Sequence, residues 1–358
     1  MKIALLGDIA FFGKFSLKQN EELFKYFENV SKILNKFDYV VGNLETPFVN
    51  GHKPYGYKSA YISSVIENVK ILKYLGVNVV NLANNHIYDY GPDALQLTKE
   101  ILEKNDIQYF GIENKSVLLQ KNDNFIKLNG YCCYSTNPQG LNDAKINKLN
   151  YQAVADQLRV NYDNGYNSII SLHAGQEHVN YPNYDHIRFA RAISNFAPYV
   201  YYGHHPHVLQ GIEQRSNSLI AYSLGNFCFD DVFTSKSTKP LIEQNSNNKS
   251  SIILELRYKN NKLQGFDYHP IYMGGHKMET DHPEIIDNLI EYSKKLEFQS
   301  VEYKTMRNEL FTQYIQSRKK RRNFIWYLKR LNINSLLMIY QSRLNRKKYN
   351  QNLIKYLS

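Results

Sequence analysis

Short apolar runs that read as buried strands recur along the chain, at Lys2 to Gly7, Tyr39 to Leu44, Val77 to Ala83, Ile107 to Gly111, Ser168 to Leu172, Tyr199 to Gly203 and Leu219 to Ser223. Between them, Glu21 to Lys36 sets Leu23, Phe27, Val30, Ile33 and Leu34 at helical spacing, and Ile62 to Leu75, Pro92 to Lys104 and Tyr184 to Phe196 behave similarly. Alternation of strand and helix predicts an α/β layered domain whose functional residues sit on loops at strand ends. After Asn226 the pattern changes. A polar loop from Thr234 to Ser250 leads into Ile252 to Tyr258 and Gly265 to Met273, which flank Lys259-Asn260-Asn261-Lys262 and predict a closing β-hairpin. The predicted organisation is one domain over 1–280 and a basic helical extension over 281–358, with Asp281, His282 and Glu284 at a helix start.

With 358 residues, 43% of them hydrophobic, the chain is long enough for a sizeable core, and disorder is not its default. The thirty tyrosines are read as compositional bias rather than mechanism. Three cysteines, Cys132, Cys133 and Cys228, make no disulfide framework, which fits a reducing compartment. The opening Met-Lys-Ile-Ala-Leu-Leu-Gly-Asp is too short an apolar run for a secretory leader and reads as a first strand, and no stretch approaches the roughly 20 apolar residues of a membrane span. A cytoplasmic location is therefore expected. The formal charge of +11 is uneven: Tyr303 to Ser358 holds fourteen Lys and Arg against Glu309 alone, a net of +13, which leaves −2 for the other 302 residues.

That tail alternates basic and apolar clusters. Helical-looking Val301 to Gln316 is followed by Arg318-Lys319-Lys320-Arg321-Arg322 and Phe324-Ile325-Trp326-Tyr327-Leu328, then by Leu336-Leu337-Met338-Ile339-Tyr340 with Arg343, Arg346, Lys347 and Lys348 behind it. Two readings stay open: packing on the main domain with a solvated basic side, or contact of 303–358 with an anionic membrane surface on the inner face. Nucleic acid is the least favoured partner, because no recognition motif accompanies the charge.

Five clusters of metal-ligand residue types follow the apolar runs: Gly7-Asp8, Asn43-Leu44-Glu45, Asn84-Asn85-His86, His173 to Glu177, and Gly203-His204-His205-Pro206-His207. The last is the most specific, since three imidazoles in four residues have no packing rationale, and Pro206 keeps the loop stiff. Carboxylate, imidazole and amide carbonyl together form a borderline ligand set. A bound metal lowers the pKa of its water toward about 7 and stabilises charge developing on oxygen, which is what hydrolysis near neutral pH needs. Ligating imidazoles need their other nitrogen anchored, and Glu177, Asp89 and Gln210 are candidates, with Tyr222 to Phe227, Asn226 included, on the next strand.

In order, Gly-Asp, Asn-Leu-Glu, Ala-Asn-Asn-His-x-x-Asp-x-Gly, His-x-Gly-x-Glu, Gly-His-x-Pro-His-Val-Leu-Gln and Ser-Leu-Gly-Asn-Phe resemble the CapA family of bacterial capsule (poly-gamma-glutamate) synthesis proteins over roughly Met1 to Tyr272. The resemblance implies a calcineurin-like metallophosphoesterase fold, a β-sandwich flanked by helices with a metal centre at one edge. It suggests Asp8, Glu45, Asn85, His173, His204 and His207 as ligands of one or two divalent ions (Mn, Zn, Fe or Mg), with Asp8 and His86 catalytic. His86 would contact the substrate or protonate the leaving group. Asn43, Asn84, Asp89, Glu177, His205, Gln210 and Asn226 would brace these residues. The chain departs from the superfamily's Asp-x-His at Ala10, which removes one imidazole, and Ala174 stands where many relatives carry a bulky aromatic.

Two functions follow from the resemblance. One is a metal-dependent hydrolase or transferase acting on a phosphoester or amide-type bond of a phosphorylated substrate or surface-polymer precursor. The other is a non-catalytic accessory subunit that scaffolds a polymer synthase at the membrane.

Overall fold

Parallel strands built from continuous apolar runs are covered on both faces, and this chain has two such sets. The computed structural model describes residues 1–56, 58, 60–133, 145–234, 237–320 and 333–358. The first sheet runs Met278–Glu279, Lys262–Met273, Ser250–Lys259, Lys2–Ile9, Tyr39–Leu44, Val79–Asn81, Gln108–Phe110, with Asn226–Cys228 pairing in parallel beside Lys2–Ile9. Its four strands from Lys2–Ile9 to Gln108–Phe110 are mutually parallel. The second sheet runs Ile212–Arg215, Ser218–Ala221, Tyr199–His204, Asn167–His173, Asn124–Cys132, Val117–Lys121, with its four central strands parallel.

The sheets face one another across a core that joins Ile3, Leu5, Val41 and Val79 of the first to Leu128, Ile169, Val200 and Leu219 of the second. Tyr202, fully buried, ties them further: its hydroxyl reaches the Leu6 carbonyl and lies 3.2 Å from that of Val41. The outer face of the first sheet is packed by Glu28–Leu34, Val69–Tyr74 and Gly91–Lys104. That of the second is packed by Tyr151–Asp163 and Tyr184–Ile193. The protein is thus an α/β sandwich of two sheets flanked by helices.

The hairpin forms as predicted. Lys259 pairs with Lys262 around Asn260 and Asn261, whose φ of 51° and 53° match the two-residue turn that asparagines favour. The periodicity over Glu21 to Lys36 resolves into two helices, Leu23–Tyr26 and Glu28–Leu34, and that over Ile62 to Leu75 into a short strand Ser64–Val65 and the helix Val69–Tyr74. In both, apolar spacing records which residues are buried, while the backbone bends to follow the sheet. The segment predicted as a polar loop holds a strand, Ser237–Ile242, and a short helix, Ser246–Lys249.

The C-terminal segment supplies helices Pro283–Lys295, Ser300–Lys320 and Ile333–Leu357. Tyr303, Tyr349 and Leu353 are buried in the apolar cluster under the second sheet's helices. The basic pair Arg321-Arg322 and the aromatic group Phe324 to Leu328 lie outside the described residues.

Candidate metal centre

The carboxyl ends of parallel strands from both sheets meet at one edge of the sandwich. Asp8 lies in Lys2–Ile9, Asn43 in Tyr39–Leu44 with Glu45 just beyond, Asn84 to His86 in the loop after Val79–Asn81, His173 and His204 at the last positions of neighbouring strands, and His207 in the following loop. Two glycines permit the approach: a Cβ at Gly7 would lie 2.2 Å from the Gly225 carbonyl oxygen, and one at Gly203 would lie 1.9 Å from that of Tyr222. His205 and His207 hold left-handed φ of 94° and 56°, a strained backbone that the neighbouring bonds hold in place.

Asp8 is the hub. Its Oδ1 lies 2.8 Å from His204 Nδ1 and accepts from Asn43 Nδ2 at 2.9 Å, while Oδ2 accepts from the His205 backbone N–H at 3.2 Å and lies 3.4 Å from His207 Nδ1. The Asn43 amide nitrogen also lies 3.4 Å from Glu45 Oε1 and 3.3 Å from His173 Nδ1. His173 Nε2 meets Asn85 Oδ1 at 2.9 Å. His207 Nδ1 lies 2.9 Å from Asn226 Oδ1, so Asn226 anchors it.

All six residues proposed as ligands therefore stand in one cluster, with Asn43 and Asn226 around it. Asn84 shapes the loop, donating to the Leu44 carbonyl at 2.8 Å and accepting from the His86 and Ile87 backbone N–H groups. Glu177 acts on His205 and Glu45 through its charge. Gln210 points elsewhere, donating to the Val179 carbonyl at 2.7 Å.

Burial raises the Asp8 carboxyl, but the hydrogen bond from His204 and the imidazoles of His204, His207 and His173 outweigh it and hold Asp8 well below the usual carboxylate range. Glu45 goes the other way, pushed well up by burial and then by the Asp8 charge beside it. The Asp8 charge therefore disfavours ionisation of Glu45, a penalty that a bound cation would relieve. Glu45 Oε2 and His204 Nε2 are buried with no partner among the described residues, and Asp8, Glu45 and His207 offer ligand atoms within 4.8 Å of one another. Orphaned lone pairs, surplus buried acid and borderline donors all fit a divalent ion. His173 differs, since both its nitrogens are engaged by amides.

Beside the cluster, Asp89 orients His86 through Nδ1 at 2.8 Å. Lys58, which sequence inspection missed, completes this group: its ammonium pairs with Asp89 and lies 2.8 Å from the Asn85 carbonyl and 3.2 Å from His86 Nδ1. Burial first, then the Lys58 charge, lower the His86 pKa. Asn81 was missed too. It donates to Asn43 Oδ1 at 2.9 Å and so turns the Asn43 amide nitrogen toward the acids. An Asn in the apolar run Val77 to Ala83 was the available signal, whereas nothing near Lys58 set it apart. Ala10 packs with Ile62, Phe229 and Val232 in a small apolar cluster.

The C-terminal segment reaches this edge. The Tyr314 ring of Ser300–Lys320 packs at a tilt of 37° against His178, 5.2 Å between ring centres, and the His178 ring centre lies 6.3 Å from that of His207.

Comparison with known proteins matches residues 2–231 to the family described as bacterial capsule synthesis protein PGA_cap. The chain is 31% identical to capsule biosynthesis protein CapA of Bacillus anthracis over 251 residues, 64% of this chain and 60% of that protein. It is 30% identical to PGA biosynthesis protein CapA of Bacillus subtilis over 259 residues, 68% of this chain and 67% of that protein. Among solved structures, a 5'-nucleotidase precursor from Thermus thermophilus aligns with a TM-score of 0.46 and 12% identity, covering 82% of this chain and 58% of that one. A sulfate thiohydrolase, SoxB, aligns at 0.43 with 8% identity, covering 75% and 46%.

Proposed function

Because the chain belongs to the bacterial capsule synthesis protein family PGA_cap, we propose that it is a metal-dependent hydrolase or transferase working on a phosphoester or amide-type bond in the making of a capsule or other surface polymer. The observation that carries this reading is the buried meeting of Asp8, Glu45 and His207, with Glu45 Oε2 and His204 Nε2 unpartnered among the described residues. Asp8, Glu45, His204 and His207 would hold the ion, with Asn85 and His173 adjoining. A bound divalent ion supplies an activated water and electrostatic stabilisation of charge on oxygen.

The remaining work falls to the chain. Asn43, held by Asn81, keeps the two acids apart and correctly turned. Asp89 and Lys58 occupy Nδ1 of His86, which leaves Nε2 as the nitrogen that meets substrate. The imidazole rests neutral, because burial and the ammonium disfavour its charge. An anionic substrate oxygen at Nε2 would offset that ammonium and favour uptake of a solvent proton at Nε2, and the imidazolium would pass that proton to the leaving oxygen and return to the neutral form.

The test is hydrolysis of aryl phosphate mono- and diesters by metal-stripped protein resupplied in turn with Mn, Zn, Fe and Mg, with His204→Ala as control. Turnover that returns with metal and is lost in the variant is expected. Tight metal binding without turnover on any phosphate or amide substrate would favour a second reading, an accessory subunit whose metal is structural. The apolar packing of Ala10, where an imidazole ligand would complete a second ion site, speaks for that reading.

A further inference from the structure

The helix Ile333–Leu357 is held by one side of its C-terminal half. Tyr349 and Leu353 are buried against Tyr151–Asp163 and Tyr184–Ile193, and the Tyr349 hydroxyl lies 2.7 Å from His186 Nε2. At about 100° per residue, Ile333, Leu336, Leu337, Tyr340 and Leu344 fall along the opposite side of the same helix. They are 68%, 51%, 51%, 63% and 48% exposed. The helix is therefore apolar on two sides: one side has its partner within the protein, and the outer one has none among the described residues. The outer stripe continues into exposed Arg343, Lys347 and Lys348.

We propose that this outer stripe is a docking surface for an anionic lipid bilayer, with the apolar side chains entering the headgroup boundary and the basic residues meeting lipid phosphates. Charge selects this occupant. The helix Ile333–Leu357 carries five Lys and Arg and no acid, within a segment 303–358 of +13 against −2 for the remainder, so the element that bears the stripe shares in a strong attraction to an anionic plane. No helix among the described residues is long and apolar enough to cross a membrane, which makes this a contact with one face. The helix Ser300–Lys320, which brings Tyr314 to His178 at the metal-site edge, packs on Tyr184–Ile193 as does Ile333–Leu357, so docking would bring that edge near the lipid headgroups. The docking itself does not rest on the metal-centre reading.

Flotation of the full chain with phosphatidylcholine vesicles, with and without phosphatidylglycerol, tests the proposal. Binding is expected only with phosphatidylglycerol, weakened by salt, and unchanged in metal-stripped protein. The triple variants Leu336→Ser/Leu337→Ser/Tyr340→Ser and Arg343→Gln/Lys347→Gln/Lys348→Gln, each checked for an unchanged melting temperature, should each lower binding by roughly tenfold or more. No flotation of the wild type, or equal flotation of all three proteins, overturns it. So does a wild-type dimer in light scattering that the apolar variant returns to monomer, since the stripe would then cover a second copy of the chain.

Discussion

A Cβ added at Gly203 would sit 1.9 Å from the Tyr222 carbonyl oxygen, one residue from His204. Gly203→Ala must therefore push the two strands apart. Urea unfolding is expected to show a loss of about 3 kcal/mol, with metal content falling in parallel. Lys58 illustrates the opposite kind of dependence, on charge. Its ammonium is the cation beside Asp89, a fully buried carboxylate that it helps hold below its ordinary pKa. Lys58→Met leaves that carboxylate with only His86 and the Ile62 backbone N–H and is expected to cost about 3 kcal/mol by the same measurement, with Lys58→Arg recovering part of it. Both residues bear on what could be read from the chain. Strand-end positions such as Asp8, His173 and His204 were legible because a polar residue directly after a buried run has few reasons to be there. Lys58 was not, since a lysine in a polar loop is ordinary until the fold carries it to Asp89.

Elements were legible in the same proportion as their apolar runs were continuous. The parallel strands of the first sheet stand near their predicted places, whereas Asn124–Cys132 carries Lys127, Asn129 and Gly130 and so offers no unbroken run. Its burial comes from Val117–Lys121 and Asn167–His173 on either side, pairings that local spacing does not announce. The docking of Ile333–Leu357 makes an element-scale prediction. His186, between Tyr151 and Tyr349, is lowered to about 4 by burial and then by the Arg307 charge. It is neutral in the fold, so the unfolded chain binds the extra proton first. Its share of stability is complete above about pH 6.5 and is lost as pH falls toward 4, by an amount on the order of 3 kcal/mol. Thermal melts between those limits should show this slope, and His186→Gln should flatten it.

At the scale of the molecule, the proposed ion, held by residues of both sheets, would couple metal binding to global stability. Saturating Mn or Zn at about a hundred times its dissociation constant is expected to add about 2.7 kcal/mol, seen as a melting temperature raised by several degrees and reversed by chelator. The candidate donors are also divided by chain order. Asp8, Glu45 and Asn85 all lie within the first quarter of the chain and offer only oxygen, while His173, His204 and His207 come with the second sheet and offer only nitrogen. During synthesis, the proposed oxygen donors, a set suited to hard cations such as Mg, would thus emerge long before the imidazoles that favour Zn, Mn or Fe. If the proposed centre holds an ion, its full set of oxygen and nitrogen donors would exist only once the two sheets have closed, so the choice of metal would belong to the closed fold and not to any single segment.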